Sequence, residues 1–226
     1  MKKILALILL LLTLTGCIPG GSEIVLPQRT PAAPPVTEPD PPQVRDCWLV
    51  LGQTVLAMRS ADGAWSRPAA LPDGITGWTI YGDTVTRAET LPADLPAGTL
   101  AAAGEGFAPL ELQTGSAWEP AADLLYAALR SATGTEPLAD PPRVQLLGSG
   151  DLTGDGVPVR LLSVRSSYAL LVQERDGEYS ILPGVTDLLG AYALDGQPLL
   201  LCADGTGSPV LLGYGSGTWT PLLPAE

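Results

Sequence analysis

The chain has 226 residues, 46% of them hydrophobic, and sets 24 acidic residues against 12 basic ones, a formal net charge of −12 with no histidine. A surface of that sign repels phosphate backbones, which argues against nucleic acid as a partner. Without histidine, Ser-His-Asp, Cys-His and His-based zinc chemistries are excluded, and any catalysis would fall to carboxylates, tyrosine, arginine, serine or cysteine.

Lys2 and Lys3 open the chain, and Ile4 to Leu14 form an almost unbroken apolar run. As a helix this run spans about 16 Å at 1.5 Å per residue, against a bilayer core of about 30 Å. A basic start, a short apolar stretch and small residues behind it make a secretory signal rather than a transmembrane anchor. The run ends in Leu14-Thr15-Gly16-Cys17, which resembles the lipobox of bacterial lipoproteins. The resemblance implies cleavage of a signal peptide over residues 1–16, a diacylglycerol on the Cys17 thiol, and a protein lipid-anchored to the cell membrane on its extracytoplasmic face. Two acyl chains hold a protein stably where one gives only marginal binding. Both lysines leave with the signal, so ten arginines then face 24 acids, a net charge of −14. That balance disfavours electrostatic docking on anionic lipid and leaves the acyl anchor as the membrane contact.

Residues 17–45 read as the lipidated cysteine followed by a tether. Prolines 19, 27, 31, 34, 35, 39, 41 and 42 punctuate the stretch. Proline lacks the amide N–H and forces its predecessor into extended conformations, so neither helix nor sheet is expected. At about 3 Å per residue where polyproline-like, the tether holds the remainder of the chain some distance from the membrane.

From residue 46 to 226 the pattern becomes strand, turn, strand. Val55 to Met58 leads to Asp62-Gly63-Ala64-Trp65; Ala169 to Val172 leads to Asp176-Gly177-Glu178-Tyr179; Val210 to Leu212 leads to Ser216-Gly217-Thr218-Trp219. Each is an apolar run, a glycine-bearing turn and an aromatic two places beyond the glycine, a strong hairpin signal. A weaker copy runs from Leu110 through Gly115 to Trp118. Cys47 to Leu51, Val159 to Leu162 and Leu199 to Cys202 supply an apolar strand before each of the three strong hairpins. The last third therefore reads as two tandem units of about 40 residues, each a small antiparallel meander. The fold class predicted is all-β, built of repeated antiparallel hairpins and either propeller-like or an open β-sandwich.

One helix is expected to interrupt this, over about 120–133, with a possible subdivision of the domain near 119–142. Pro120 suits the first turn and Asp123 the positive N-terminal end. Leu124, Leu125, Ala128, Leu129 and Ala132 make an apolar stripe, and Gly134 can end the helix in the left-handed region. Of the five tryptophans, those in phase with the repeat (65, 118 and 219) are expected to pack in the core. Cys47 and Cys202 are either a disulfide pair, permitted outside the cytoplasm, or two buried free thiols.

Gly150-Asp151-Leu152-Thr153-Gly154-Asp155-Gly156 places oxygen-bearing side chains at alternate positions before a turn glycine. The run resembles the calcium loops of FG-GAP/VCBS-type repeats, and Asp195-Gly196 is a degenerate echo of it. The resemblance implies Asp151, Thr153, Asp155 and the Val157 carbonyl as ligands of a calcium ion. With Val159 where the family places an acid, only two carboxylates are available, which predicts weak binding or none. The other reading is a structural turn whose Asp side chains accept from nearby amides, with no cofactor at all.

The function read from this is a non-catalytic, membrane-anchored surface lipoprotein that presents a β-repeat domain to a protein, glycan or envelope ligand. A carboxylate-dependent extracytoplasmic hydrolase is the alternative, drawn from Asp151, Asp155, Glu174, Asp176 and Glu178, although residues 174–178 read as solvated charges at a turn. An accessory subunit of an envelope complex is a third reading.

Overall fold

The structure, a computed structural model, describes residues 46–114, 119–133, 142–166 and 169–223. Cys17, the tether, Gly115, Trp118 and Gly134 lie outside them. Strands β1 (Cys47–Leu51), β2 (Thr54–Arg59), β3 (Trp65–Ser66), β4 (Trp78–Tyr81), β5 (Val85–Ala88) and β6 (Leu100–Ala103) form a first sheet in the order β3-β2-β1-β6-β4-β5. After β7 (Phe107–Pro109) and helix α1 (Ala122–Thr133) comes a four-stranded meander, β8 (Arg143–Gly150), β9 (Val159–Arg165), β10 (Ala169–Arg175) and β11 (Glu178–Ile181). A second meander, β12 (Asp187–Leu194), β13 (Gln197–Ala203), β14 (Pro209–Gly215) and β15 (Thr218–Pro221), takes β7 onto its free edge beside β12. Among the described residues the fold is all-β and antiparallel with one helix.

Turn chemistry sets the strand boundaries. Asp176-Gly177, Asp195-Gly196 and Ser216-Gly217 each hold two successive positive φ angles, at 53° and 83°, 51° and 77°, and 52° and 83°. That pair of angles defines the type I′ turn, whose twist matches a two-residue hairpin. The flanking pairs Arg175↔Glu178, Leu194↔Gln197 and Gly215↔Thr218 close directly around them. The Asp62-Gly63 hairpin is looser: Ser60 donates its amide to the Ala64 carbonyl at 2.9 Å, and β2 and β3 resume pairing only at Arg59↔Trp65.

Alternation along β13 decides how the sheets stack. Leu199 and Leu201 pack with Cys47, Leu49, Leu56 and Leu100 of the first sheet. Their neighbours Leu200 and Cys202 pack with Val159, Leu161 and Leu171 of the β8–β11 sheet. The β12–β15 sheet is therefore the middle of three layers, buried on both faces, which is why Leu199 to Cys202 is continuously apolar rather than alternating. The outer face of the first sheet, with Val50, Trp78 and Ala101, is covered by Leu71, Ile75, Leu91 and Leu95 of its own connecting loops. The outer face of the β8–β11 sheet is covered by α1, through Leu125 and Leu129 on Leu162, Val164 and Val172.

Two expectations change. The stripe predicted for the helix is narrower: Leu125 and Leu129 are buried, whereas Leu124 is 55% exposed. The weak fourth hairpin copy builds no sheet among the described residues. Instead Leu110 donates its amide to the Ala191 carbonyl and Gln113 exchanges backbone hydrogen bonds with Ser149, so this stretch bridges the two meanders. There Leu112 lies over Gly148, where an added Cβ would come within 2.6 Å of the leucine Cβ. Gly148 stands at a β-bulge in β8, and Gly190 stands at the corresponding bulge in β12, so the tandem units share an irregularity as well as a turn.

The structure leaves both cysteines free and buried. Cys47 belongs to the interface between the first and middle sheets and Cys202 to the interface beyond it. The middle sheet separates the two packing layers, and the disulfide considered from sequence does not form.

The middle layer makes a direct prediction. Leu200→Ala, at a residue with no exposed surface, should cost about 2–5 kcal/mol. Leu124→Ala should change stability by no more than about 0.5 kcal/mol. Urea unfolding monitored by tryptophan fluorescence reads both.

Candidate functional site

The loop from Asp151 to Val157 joins β8 to β9 and is wrapped around its own acids. Asp151 Oδ1 accepts from the amides of Gly154 at 2.8 Å and Asp155 at 3.2 Å, with a longer contact to that of Thr153 at 3.4 Å; Oδ2 accepts from Gly156 at 2.9 Å. Gly154 and Gly156 have φ of 75° and 81°, which lets successive amides turn inward at little steric cost. Asp155 Oδ1 accepts from the Thr153 hydroxyl at 2.7 Å and from the Val157 amide at 3.1 Å. Its Oδ2 accepts from Arg175 Nη2 on β10. The Thr153 hydroxyl, the Val157 amide and the Arg175 guanidinium together hold the Asp155 carboxyl down at about 2.

Asp151, Thr153 and Asp155 are thus brought together, joined by the Val157 amide rather than its carbonyl, and the carboxylate oxygens already accept from amides, a hydroxyl and a guanidinium. Among the described residues no group of three or more His, Cys, Asp or Glu is placed to hold a metal. A second loop uses the same device, with oxygen-bearing side chains alternating at 204, 206 and 208 that the sequence reading passed over: Asp204 Oδ1 accepts from the amides of Thr206 at 2.8 Å and Ser208 at 2.9 Å, and from the Thr206 hydroxyl at 2.7 Å. These bonds keep the Asp204 carboxyl below its ordinary range, the Thr206 hydroxyl most of all. The echo at Asp195-Gly196 plays a different part, since Asp195 Oδ2 accepts from Arg59 Nη1 at 2.8 Å and ties the middle sheet to the first.

The acids drawn on for hydrolysis separate by environment. Glu174 is not a solvated turn residue: it lies in β10, only 3% exposed. Its Oε2 accepts from Arg160 Nη1 at 2.6 Å across the β9–β10 pair, and Oε1 from the Gly177 amide at 2.7 Å. A buried carboxylate persists only when paired and hydrogen-bonded in this way. Asp176 and Glu178 are exposed at the hairpin tip. Asp155 and Glu174 each face their own arginine. Both thiols are pushed up to about 12, chiefly by burial, which removes them as nucleophiles at neutral pH.

Sequence reasoning found these acids and missed the arginines that answer them, because Arg175, which answers Asp155, and Arg160, which answers Glu174, lie on strands where no spacing rule connects them to their partners. It also missed the concavities. One cleft of about 510 Å³ lies between the β1–β2 turn, the loop at Leu95 to Gly98, and Ser208-Pro209. Another, of about 420 Å³, lies beside Asp46, Trp48 and Glu105. A third, of about 240 Å³, lies at the seam of the first and middle sheets between Trp65, Gly213 and Thr220. The described tryptophans serve mainly as packing: Trp78 and Trp219 are buried, Trp48 and Trp65 partly so. Trp219 also donates from Nε1 to Gln173 Oε1 at 2.7 Å.

No family model matches the chain, and neither does any curated protein or solved structure.

Two measurements test the loop. A carboxyl whose folded pKa lies below its unfolded value contributes stability that is present above the unfolded pKa and is lost as pH falls through the folded one. For Asp155 that window runs from about pH 4 down to about pH 2. Asp155→Asn should therefore lower the melting midpoint at pH 7 and flatten its fall across that window. The wild-type midpoint should be equal in millimolar calcium and in chelator, because the loop's own donors occupy the carboxylates; a calcium-dependent rise would show a bound ion.

Proposed function

We propose that the protein is a lipid-anchored extracytoplasmic lipoprotein whose stacked β-sheet domain acts by presenting a surface to a protein, glycan or envelope ligand rather than by catalysis. The observation that carries this reading is the Leu14-Thr15-Gly16-Cys17 tetrapeptide closing a basic and then apolar N-terminal run. A thioether-linked diacylglycerol at Cys17 fixes one end of the chain in the membrane, and the proline-rich residues behind it set the β domain apart from the lipid surface.

The display role is supported by how the domain spends its charged groups. Asp151 and Asp204 hold turns, Arg59 with Asp195 and Arg165 with Asp187 tie strands and sheets, and Arg160 neutralises Glu174, the one buried carboxylate among the described residues. General acid–base catalysis needs a carboxyl tuned toward neutral pH and open to substrate. Asp155 and Asp204 are instead held low by their hydrogen bonds.

Metabolic labelling with radioactive palmitate tests the anchor. The wild-type chain should incorporate label and partition into the detergent phase, and Cys17→Ser should do neither. Label retained by Cys17→Ser would overturn the reading.

A further inference from the structure

An edge strand carries a row of unpaired N–H and C=O groups, and folds blunt such edges with short strands, prolines, bulges or a cover. Most edges of the three sheets are treated in this way. β3 has two residues, β7 has three and ends in Pro109, and β15 ends in Pro221. β8 is bulged between Leu146 and Gly148 and bridged by Gln113. β11 lies by the start of α1, where the Ala121 amide donates to the Tyr179 hydroxyl at 2.9 Å.

β5 is the exception. It reads Val85-Thr86-Arg87-Ala88, holds no proline, and pairs with β4 without a bulge from Trp78↔Ala88 to Tyr81↔Val85. Just beyond the strand, the Gly77 amide donates to the Glu89 carbonyl at 3.1 Å. Bonded and non-bonded pairs alternate along an antiparallel ladder, so Arg87 and Val85 also bond inward to β4, and Thr86 and Ala88 turn their N–H and C=O groups outward. Val85, Thr86 and Arg87 are all exposed, Val85 at 57%. Valine and threonine are strand formers, so the free edge is well suited to receive another strand.

The charges around Val85 are self-complementary. Asp83 stands two residues before it and Arg87 two residues after. Among the described residues neither Asp83 nor Arg87 has an ion-pair partner. An antiparallel pairing of two copies about Val85 sets Arg87 of each copy opposite Asp83 of the other, and Val85 against Val85 where side chains approach closest. Centring the pairing on Thr86 would instead oppose Glu89 to Asp83, and centring it on Arg87 would oppose two guanidinium groups. Like charges directly opposite are destabilising.

We infer that the chain associates with a second copy of itself through β5, in an isologous pairing whose two-fold axis passes at Val85. The first sheet then continues from one copy into the other. This goes beyond the display reading and does not depend on the anchor. Four-residue edges make a small interface, so the association is weak, with a dissociation constant on the order of 100 μM.

Sedimentation velocity of the full chain in mild detergent, at concentrations on either side of that value, tests the inference. A monomer should give way to a dimer as concentration rises. Asp83→Arg and Arg87→Asp, at exposed positions that leave the melting midpoint unchanged, should each weaken the dimer about tenfold. Mixed together, these two variants should pair with each other at wild-type strength or better, because every contact is then between opposite charges. Thr86→Pro removes an outward N–H without touching the β4 ladder and should abolish the dimer. Val85→Cys should give a disulfide-linked dimer on mild oxidation, and Leu189→Cys, exposed on a different sheet, should not. A monomer at every concentration overturns the inference. So does a dimer that survives Thr86→Pro, or a mixture of the two charge variants that stays monomeric.

Discussion

The structure depends on one sheet having no solvent face. The β12–β15 meander is packed on the first sheet through Leu199 and Leu201 and on the β8–β11 sheet through Leu200 and Cys202. A chain of this size can bury that much surface only by stacking layers, since a two-layer sandwich leaves one face of each sheet wet. The middle layer makes the three sheets interdependent: neither outer sheet has another apolar surface on which to bury its inner face. The outer faces are then closed by what is left over, loop leucines on one side and a single amphipathic helix on the other.

Charge is arranged to serve this stack. With so few basic side chains, four of the eight described pin elements together: Arg59–Asp195 between sheets, Arg160–Glu174 across two strands, Arg165–Asp187 between sheets, and Arg175–Asp155 from a strand to a loop. Apart from the buried Arg160–Glu174 pair, these are exposed pairs that contribute little stability individually. Their value is in register and loop shape, and the excess of acid is spread over turns where amides and water receive it. The same economy leaves the seam cleft neutral, because its one guanidinium is already answered.

Much of this was legible locally. Asp176-Gly177 and Ser216-Gly217 announced hairpins because only certain residues tolerate two positive φ angles in succession, and the apolar run around Leu200 announced a strand. Pro120 and the leucines after it announced the helix, although the stripe counted Leu124, which the final docking angle leaves in water. What could not be read was pairing between distant segments. β6 slips between β1 and β4 although the β4–β5 hairpin precedes it in the chain, and its Leu-Ala-Ala-Ala sequence carries no β signal. Those alanines are selected by burial at the centre of the first sheet, a tertiary demand with no local trace. The same holds for the site: the acids of the 151–157 loop were visible, and the arginine that answers Asp155 lies twenty residues on.

Native-state hydrogen exchange tests the three-layer account most directly. If the middle sheet organises the fold, the amides of Leu199 to Cys202 should be the slowest in the domain, exchanging only with global unfolding, and the inner strands β1 and β9 should share that limit. If instead the β8–β11 amides exchange through a separate, lower-energy opening while β13 stays protected, the sheets are independent units and the account is contradicted.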